Sequence, residues 1–241
     1  MPHTKTSWES MSKRYCQALL IPVFLIAMVV PSLGADKAKD EETLKEAASV
    51  LSDMLSSNSI PANVLEGADC VMILPNVKKF GVGIGGSGGR GPMTCRGGKD
   101  FNGNWSAPAM YSMGGASVGL QLGGSSTDYV LLIMSQKGVD AVMESKTTLG
   151  SDATAAAGPS GATRSGTMTG TDVLTYAKAS GLFAGTSLGS ATLEPDKDAN
   201  ERLYDKEITA KEIVLQHAVK TTDAGEALIS LLNAKLPKHK T

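Results

Sequence analysis

Residues 80–85 read Phe80-Gly81-Val82-Gly83-Ile84-Gly85, a bulky side chain and a glycine in strict alternation. The texture returns at Gly115-Ala116-Ser117-Val118-Gly119-Leu120-Gln121-Leu122-Gly123 and at Gly181-Leu182-Phe183-Ala184-Gly185-Thr186-Ser187-Leu188-Gly189. Alternate residues of a β-strand point to opposite faces, so each segment reads as a strand with one face made mostly of glycine and serine. Glycine inside a strand costs conformational entropy and offers no side chain to pack. Three such strands predict a place where another backbone comes very close, or where the sheet bends sharply. The expected architecture is α+β: a strongly curled, mainly antiparallel Gly-rich sheet or small barrel, packed with N- and C-terminal helices.

Working outward, Cys70-Val71-Met72-Ile73-Leu74 is an apolar run closed by Pro75-Asn76, and Asp128 through Met134 is a second; both read as buried strands. Residues 173–179 alternate well enough to be another. Residues 36–58 carry Leu44, Ala48, Leu51 and Leu55 at three- and four-residue intervals, with Ala47 and Met54 beside them, which predicts an amphipathic helix. Its first turns hold Asp36, Asp40, Glu41 and Glu42, where the helix dipole favours negative charge. A helical turn is expected after Ser59, with Pro61 early in it. Residues 138–145 suit a short helix. Thr209-Ala210-Lys211-Glu212 is a capping-box pattern opening the apolar run 213–215, and residues 223–236 make a last amphipathic helix. The small-residue stretch 150–171 reads as a flexible loop or a weak hairpin. With no linker after residue 60, one domain is expected over 59–236, preceded by the helix at 35–58 and followed by a basic tail at 237–241.

The N-terminus carries Lys13 and Arg14, then an apolar run from Ala18 to Val30, then small residues at Ser32 and Gly34. That order predicts a cleaved signal peptide over 1–34, with an uncleaved anchor as the alternative. The apolar run is shorter than the roughly 20 residues of a membrane-spanning helix and is interrupted by Pro22. Met11 is an alternative start, and Cys16 precedes the apolar run, so it does not read as a lipid-attachment cysteine. Export to the periplasm or the medium follows, with peripheral membrane attachment. Cys70 and Cys95 then remain, either as one disulfide or as two separate buried thiols.

The sequence has a formal net charge of −1 and only 5% aromatic residues, which argues against nucleic-acid binding. Gly81-Val82-Gly83-Ile84-Gly85-Gly86 matches GxGxxG, but the sequence after it has no helical period and reaches Pro92, so no dinucleotide site is read there. The histidines are His3, His217 and His239; His217 is expected at a helix end, where the dipole stabilises a cation. No nucleophile-elbow motif accompanies it, and the cysteines make no zinc pattern. Asp128, Asp140, Glu144 and Asp152 are candidate paired acids that strand ends and caps explain equally well. No enzyme activity and no cofactor are expected. The cations Lys78, Lys79, Arg90, Arg96 and Lys99 flank the Gly-rich segment. Gly-rich turns expose backbone N–H groups that cradle anions, and arginine adds fork-shaped donors; the alternative is a set of solvated loop charges.

Several ordered blocks resemble the SYLF lipid-binding domain family. They are Lys79 through Gly86 with Arg96; Trp105-Ser106-Ala107-Pro108 with Gly114 through Gly123; Asp128 and the strand after it; Leu149 through Ala153 with Ala157 through Gly161; and Tyr176 through Leu188 with Asn200 and Tyr204. The resemblance covers about residues 42–235. It implies a non-catalytic module that binds phosphoinositide-type or other anionic headgroups, and some members bind actin. The export signal resembles that of stand-alone bacterial members and makes actin an implausible partner. The expected partner is anionic membrane lipid of the cell envelope. A structural or protein-interaction module without a lipid ligand is the alternative, and a small-molecule carrier or hydrolase is a weaker one.

Overall fold

A computed structural model describes residues 33–159, 170–179, 181–186, 188 and 190–236, with the backbone alone for 33, 81–84, 116–123 and 179. The chain divides into two compact units, Met1–Gly34 and Ala35–Thr241. The expected signal segment, apart from Leu33 and Gly34, and the expected basic tail both lie outside the described residues. The element order is α1 (Leu33–Ser57), α2 (Ala62–Glu66), β1 (Cys70–Cys95), β2 (Ala109–Ile133), α3 (Gln136–Val142), β3 (Thr147–Thr148), β4 (Ala155–Ala157), β5 (Val173–Ala179), β6 (Leu182–Gly185), β7 (Thr192–Pro195), α4 (Lys197–Tyr204), α5 (Ala210–Val214) and α6 (Asp223–Lys235). The α+β class and the curled, mostly antiparallel sheet are as the sequence predicts.

The strands differ from expectation in length. The runs at 70–74 and 80–85 belong to one strand of 26 residues, and those at 115–123 and 128–134 fall in one of 25. These two strands pair along their whole length, from Cys70 opposite Ile133 to Met93 opposite Ala109. Pro75-Asn76 does not end β1. It forms a bulge where the register shifts between Leu74 and Val77, with Asn76 at φ 51°. Such a bulge bends and twists a strand without ending it. The Asn76 amide, released from the ladder, donates to the Asp128 carboxylate at 2.9 Å.

The ribbon does not run straight. A strand of this length spans roughly 80 Å when extended, yet the Cα atoms of its two terminal residues, Cys70 and Cys95, lie 4.0 Å apart and their sulfurs are joined in a disulfide. Between these ends, Ile73 meets Gly91, Val77 meets Gly89, and the Phe80 ring lies against Gly86. Strand β1 therefore folds back on itself about residues 82–83, with its two halves side by side. Glycine is required at the crossing points. A Cβ on Gly91 would sit 1.9 Å from the Ile73 carbonyl oxygen, and one on Gly89 would sit 2.7 Å from a Val77 methyl. The Arg96 amide closes the crossing by donating to the Asp69 carbonyl at 2.9 Å.

Other strands extend this folded ribbon along the free margin of β2, at its two ends. Strand β7 pairs with β2 at Tyr111–Gly114, and β5 pairs with it at Tyr129–Ile133. The short strand β3 borders β7, while β4 and β6 border β5; β4 with β5 is the parallel pair. Within the stretch 150–171, residues 155–157 are thus a strand, and residues 160–169 lie outside the described residues.

Both faces of the sheet are covered. Cys70, Met72 and Leu74 with Tyr129, Leu131 and Ile133 point into one core, which α5 completes through Ile213 and Val214. Val71 and Ile73 with Val130 and Leu132 point into the other, beneath Leu51 and Met54 of α1, Val64 of α2 and Leu228 of α6. Burial on both faces is why 70–74 and 129–133 read as unbroken apolar runs. The predicted capping box is present, Thr209 and Glu212 each bonding the other's backbone N–H. The helix expected at 138–145 begins earlier, at Gln136, because Ser135 accepts from the Gly138 amide as its N-cap. His217 lies two residues past the C-cap of α5, in a left-handed conformation with φ 52°, its ring against Gly97.

Two outcomes follow. Gly91→Ala should lower stability by about 3 kcal/mol or more, because backbone must shift to admit its Cβ. Gly114→Ala, where nothing lies within 4 Å of the added atom, should cost under about 1 kcal/mol; urea unfolding of the two variants checks the contrast. Replacing Cys70 and Cys95 together by alanine should remove about 3 kcal/mol, the chain-entropy value for a loop closed over a separation of 25 residues. Both cysteines are fully buried and bridged, so alkylation should leave them unlabelled in the native protein, and after unfolding only the chain treated with reductant should label at these positions.

Candidate functional site

The five cations singled out in the sequence do not converge. Arg90 donates to Asp40 of α1, and Arg202 of α4 donates to the other oxygen of that carboxylate at 2.8 Å. Asp40 is fully buried, and Asp196 stands 3.6 Å from Arg90. This group ties α1 and α4 to the second half of β1, and a buried carboxylate needs that compensation because an isolated one is very costly. Arg90 is thus tied to two carboxylates of the fold, with 35% of its side chain still exposed. Arg96 is buried: Nε donates to the Ala68 carbonyl at 3.1 Å, and its guanidinium lies 4.4 Å from the centre of the Trp105 ring. Desolvation lowers its affinity for the proton, with Asp69 and Glu66 acting in the opposite direction. Lys99 is exposed in a 3-10 turn of the loop joining β1 to β2, at the disulfide end of the ribbon.

Lys78 and Lys79 remain, at the folded-back end of the ribbon. Lys78 is exposed and donates to the Ser126 hydroxyl at 3.3 Å; Lys79 is half-buried, its ammonium 5.1 Å from the centre of the Tyr129 ring. Phe80 follows on the same face as Lys78, because residues two apart in a strand share a face. Its side chain is 64% exposed. The β5–β6 turn reaches this same end. Tyr129 pairs with Leu74 on one side and with Ala177 on the other, and both β1 and β5 continue past it in the same direction. Leu182, opposite Ala179 across that turn, is 58% exposed. The described residues therefore bring their two exposed large hydrophobic side chains to the same end of the sheet, Phe80 with Lys78 on one face and Leu182, like Lys79, on the other, and this end is the rim. Lys178 lies beside it but is held by Asp53 at 2.6 Å, with Asp128 at 3.9 Å.

The candidate acids are dispersed. Asp128 accepts from the Asn76 amide, Asp140 from Gln136, and Asp152 from the Thr148 amide and Ser151. The strongly perturbed carboxyl is Asp172, which single-residue patterns did not mark. Burial pushes it up, but hydrogen bonds from the Ser135 hydroxyl, the Thr154 hydroxyl and amide, and Lys137 outweigh that and bring it to about 2. It joins the α3 cap to β4 and β5, which is a role in holding the fold. Among the described residues, no three His, Cys, Asp or Glu side chains group as a metal site, and no helix is long and apolar enough to cross a membrane.

Comparison with known proteins decides the lineage. A family model described as "Ysc84: Las17-binding protein actin regulator" matches residues 114–235, about half of the chain. The chain belongs to the Ysc84 family. This is the SYLF-domain group that the glycine blocks resemble. Protein YSC84 of Saccharomyces cerevisiae is 36% identical over 205 residues, 79% of this chain and 42% of its own length. LAS seventeen-binding protein 3 of the same yeast is 32% identical over 204 residues, 79% of this chain and 43% of its own. The human SH3 domain-containing YSC84-like protein 1 is 30% identical over 215 residues, 87% of this chain and 61% of its own. The chain thus spans about two to three fifths of these Ysc84 relatives.

Asp172 yields a pH prediction. Its folded carboxyl lies at about 2 against 3.8 for the ordinary group, so its contribution is fully present above pH 3.8 and is lost as the pH falls through about 2. The contribution is about 2 kcal/mol. Asp172→Asn should therefore be less stable than wild type by about that amount at pH 7, and the gap should close toward pH 2; chemical unfolding at the two pH values measures it.

Proposed function

We propose that the chain is a non-catalytic lipid-binding protein that meets anionic phospholipid, phosphoinositide-type headgroups included, at the rim carrying Lys78 and Lys79. The single observation behind this reading is the separation of the cations into two kinds. Arg90 is held by Asp40 and Asp196 and Arg96 is buried against Trp105, whereas Lys78 and Lys79 make no ion pair among the described residues and stand beside an exposed apolar side chain. Lysine is a compact, flexible charge suited to a diffuse anionic surface, whereas arginine's planar fork suits fixed, buried partners. The dispersal of the acids favours a binding role over acid–base catalysis.

The same reading places the mature chain outside the cytoplasm, beginning at Ala35 and resting peripherally on the membrane of the cell envelope. The apolar segment 18–30 followed by small residues supports this, as does the Cys70–Cys95 bridge, because disulfides persist in oxidising compartments. A second reading draws on the relatives' names: the chain docks a protein, as the names of LAS seventeen-binding protein 3 and of the family model state for those proteins.

Flotation with vesicles containing anionic phospholipid separates the readings. Wild type should float at low salt and progressively less as salt rises. Lys78→Ala with Lys79→Ala should weaken binding by about 2 kcal/mol, at about 1 kcal/mol for each charge near an anionic surface. Both proteins are compared as full chains, so any contribution of residues 18–30 is common to them. Flotation indifferent to salt and to both lysines would count against the rim and in favour of a protein partner.

A further inference from the structure

Charge alone accounts poorly for a stable hold on a membrane. Lys78, Lys79 and Lys178 stand near Asp53 and Asp128, which leaves one net positive charge at the rim. Such a surface is attracted only weakly to anionic lipid at physiological salt. The apolar component is more unusual. Phe80 is 64% exposed and Leu182 58% exposed, in a chain whose other large hydrophobic side chains, among the described residues, are buried or half-buried. They come from elements about a hundred positions apart in sequence, the middle of β1 and the β5–β6 turn, yet the sheet brings both to the same end.

The backbone around them is fixed. Phe80 pairs with Gly124, and its ring rests against Gly86, which holds the side chain in place where the ribbon folds back. Leu182 follows Gly181, whose φ of +81° turns the chain between β5 and β6. Next to it, the Phe183 amide donates to the Ser59 hydroxyl, which anchors β6 to the α1–α2 loop. Two apolar side chains are thus presented on braced backbone, with lysines beside them at headgroup depth. A large apolar group flanked by lysines suits the boundary between headgroups and acyl chains, where lysine stems lie along apolar surface while the ammonium stays wet.

From this arrangement we infer that the rim penetrates the bilayer: Phe80 and Leu182 enter the acyl-chain boundary of an anionic membrane while Lys78 and Lys79 engage phosphates above them. The inference rests on the lipid-binding reading and adds to it a depth and two residues. A bilayer fits better than a second copy of the chain. The two apolar tips stand on opposite faces of one sheet end, so a flat patch on a second copy would cover one of them, whereas a fluid acyl layer surrounds both.

The test uses the full chain with Phe80→Trp in a Trp8→Phe background. Trp105, which is buried, is then the only other indole. Flotation on vesicles containing phosphatidylserine reports binding, and quenching by lipids brominated along the acyl chain reports depth. The expected result is flotation together with quenching strongest for bromines near the headgroup end of the chain. Phe80→Ala and Leu182→Ala should each weaken partition about fivefold to tenfold without changing the steepness of the salt dependence. Flotation without quenching overturns penetration and leaves the headgroup reading standing. Loss of flotation in every protein, wild type included, overturns both. If wild type ignores vesicles and Phe80→Glu turns a dimer into a monomer in sedimentation equilibrium, the rim is a self-association surface and the inference fails.

Discussion

The fold depends on one strand lying against itself. Strand β1 turns back at its middle, and its two halves touch where Gly86, Gly89 and Gly91 face Phe80, Val77 and Ile73. Residues with side chains at those positions would hold the halves several ångströms apart and would straighten the ribbon. The entropy lost by placing glycine in a strand is offset by the cores that the fold-back assembles on either face. Because β2 follows β1 along its whole length, bending one strand bends the other, and β5 and β7 then have parts of β2 to pair with that face different ways.

Much of this was legible in the sequence and some was not. The alternation at 80–85 and 115–123 predicts close approach or sharp bending, and both occur. The continuity of β1 through Pro75-Asn76 was hidden, because a bulge and a strand end carry the same residues. Its cause is nonlocal: the Asn76 amide is satisfied by Asp128, 52 positions away. Helix α4 is short and mostly polar, with few apolar residues to mark it in the sequence; Asp196 caps it, and its place is set by Asn200, which donates to the Met110 carbonyl.

The candidate site divided along a line that local sequence cannot show. Near a glycine-rich segment, five basic residues look alike. What separates them is the partner supplied from elsewhere in the chain: two acids, Asp40 and Asp196, for Arg90, and burial against Trp105 for Arg96, whereas Lys78 and Lys79 meet no carboxylate among the described residues. An early acidic residue in α1 reads as a partner for the helix dipole, and Asp40 instead faces two guanidinium groups in the interior. Placing Asp40 first would have taken Arg90 out of consideration, but that requires knowing that α1 crosses the second half of β1.

The fold-back also bears on how the molecule tolerates crowding by its own kind. A ribbon of two strands more than twenty residues long would, if laid flat, present two long margins of unpaired amides and carbonyls, a template for growth by further copies. Here β3, β4 and β6 are two, three and four residues long, one amide of β6 is already occupied by Ser59, and β1, which borders β2 alone, is folded against itself with Gly89 on Val77 and Gly91 on Ile73. The long strands are turned inward and spent on one another, which leaves little exposed edge from which a fibril or a clumped sheet could begin.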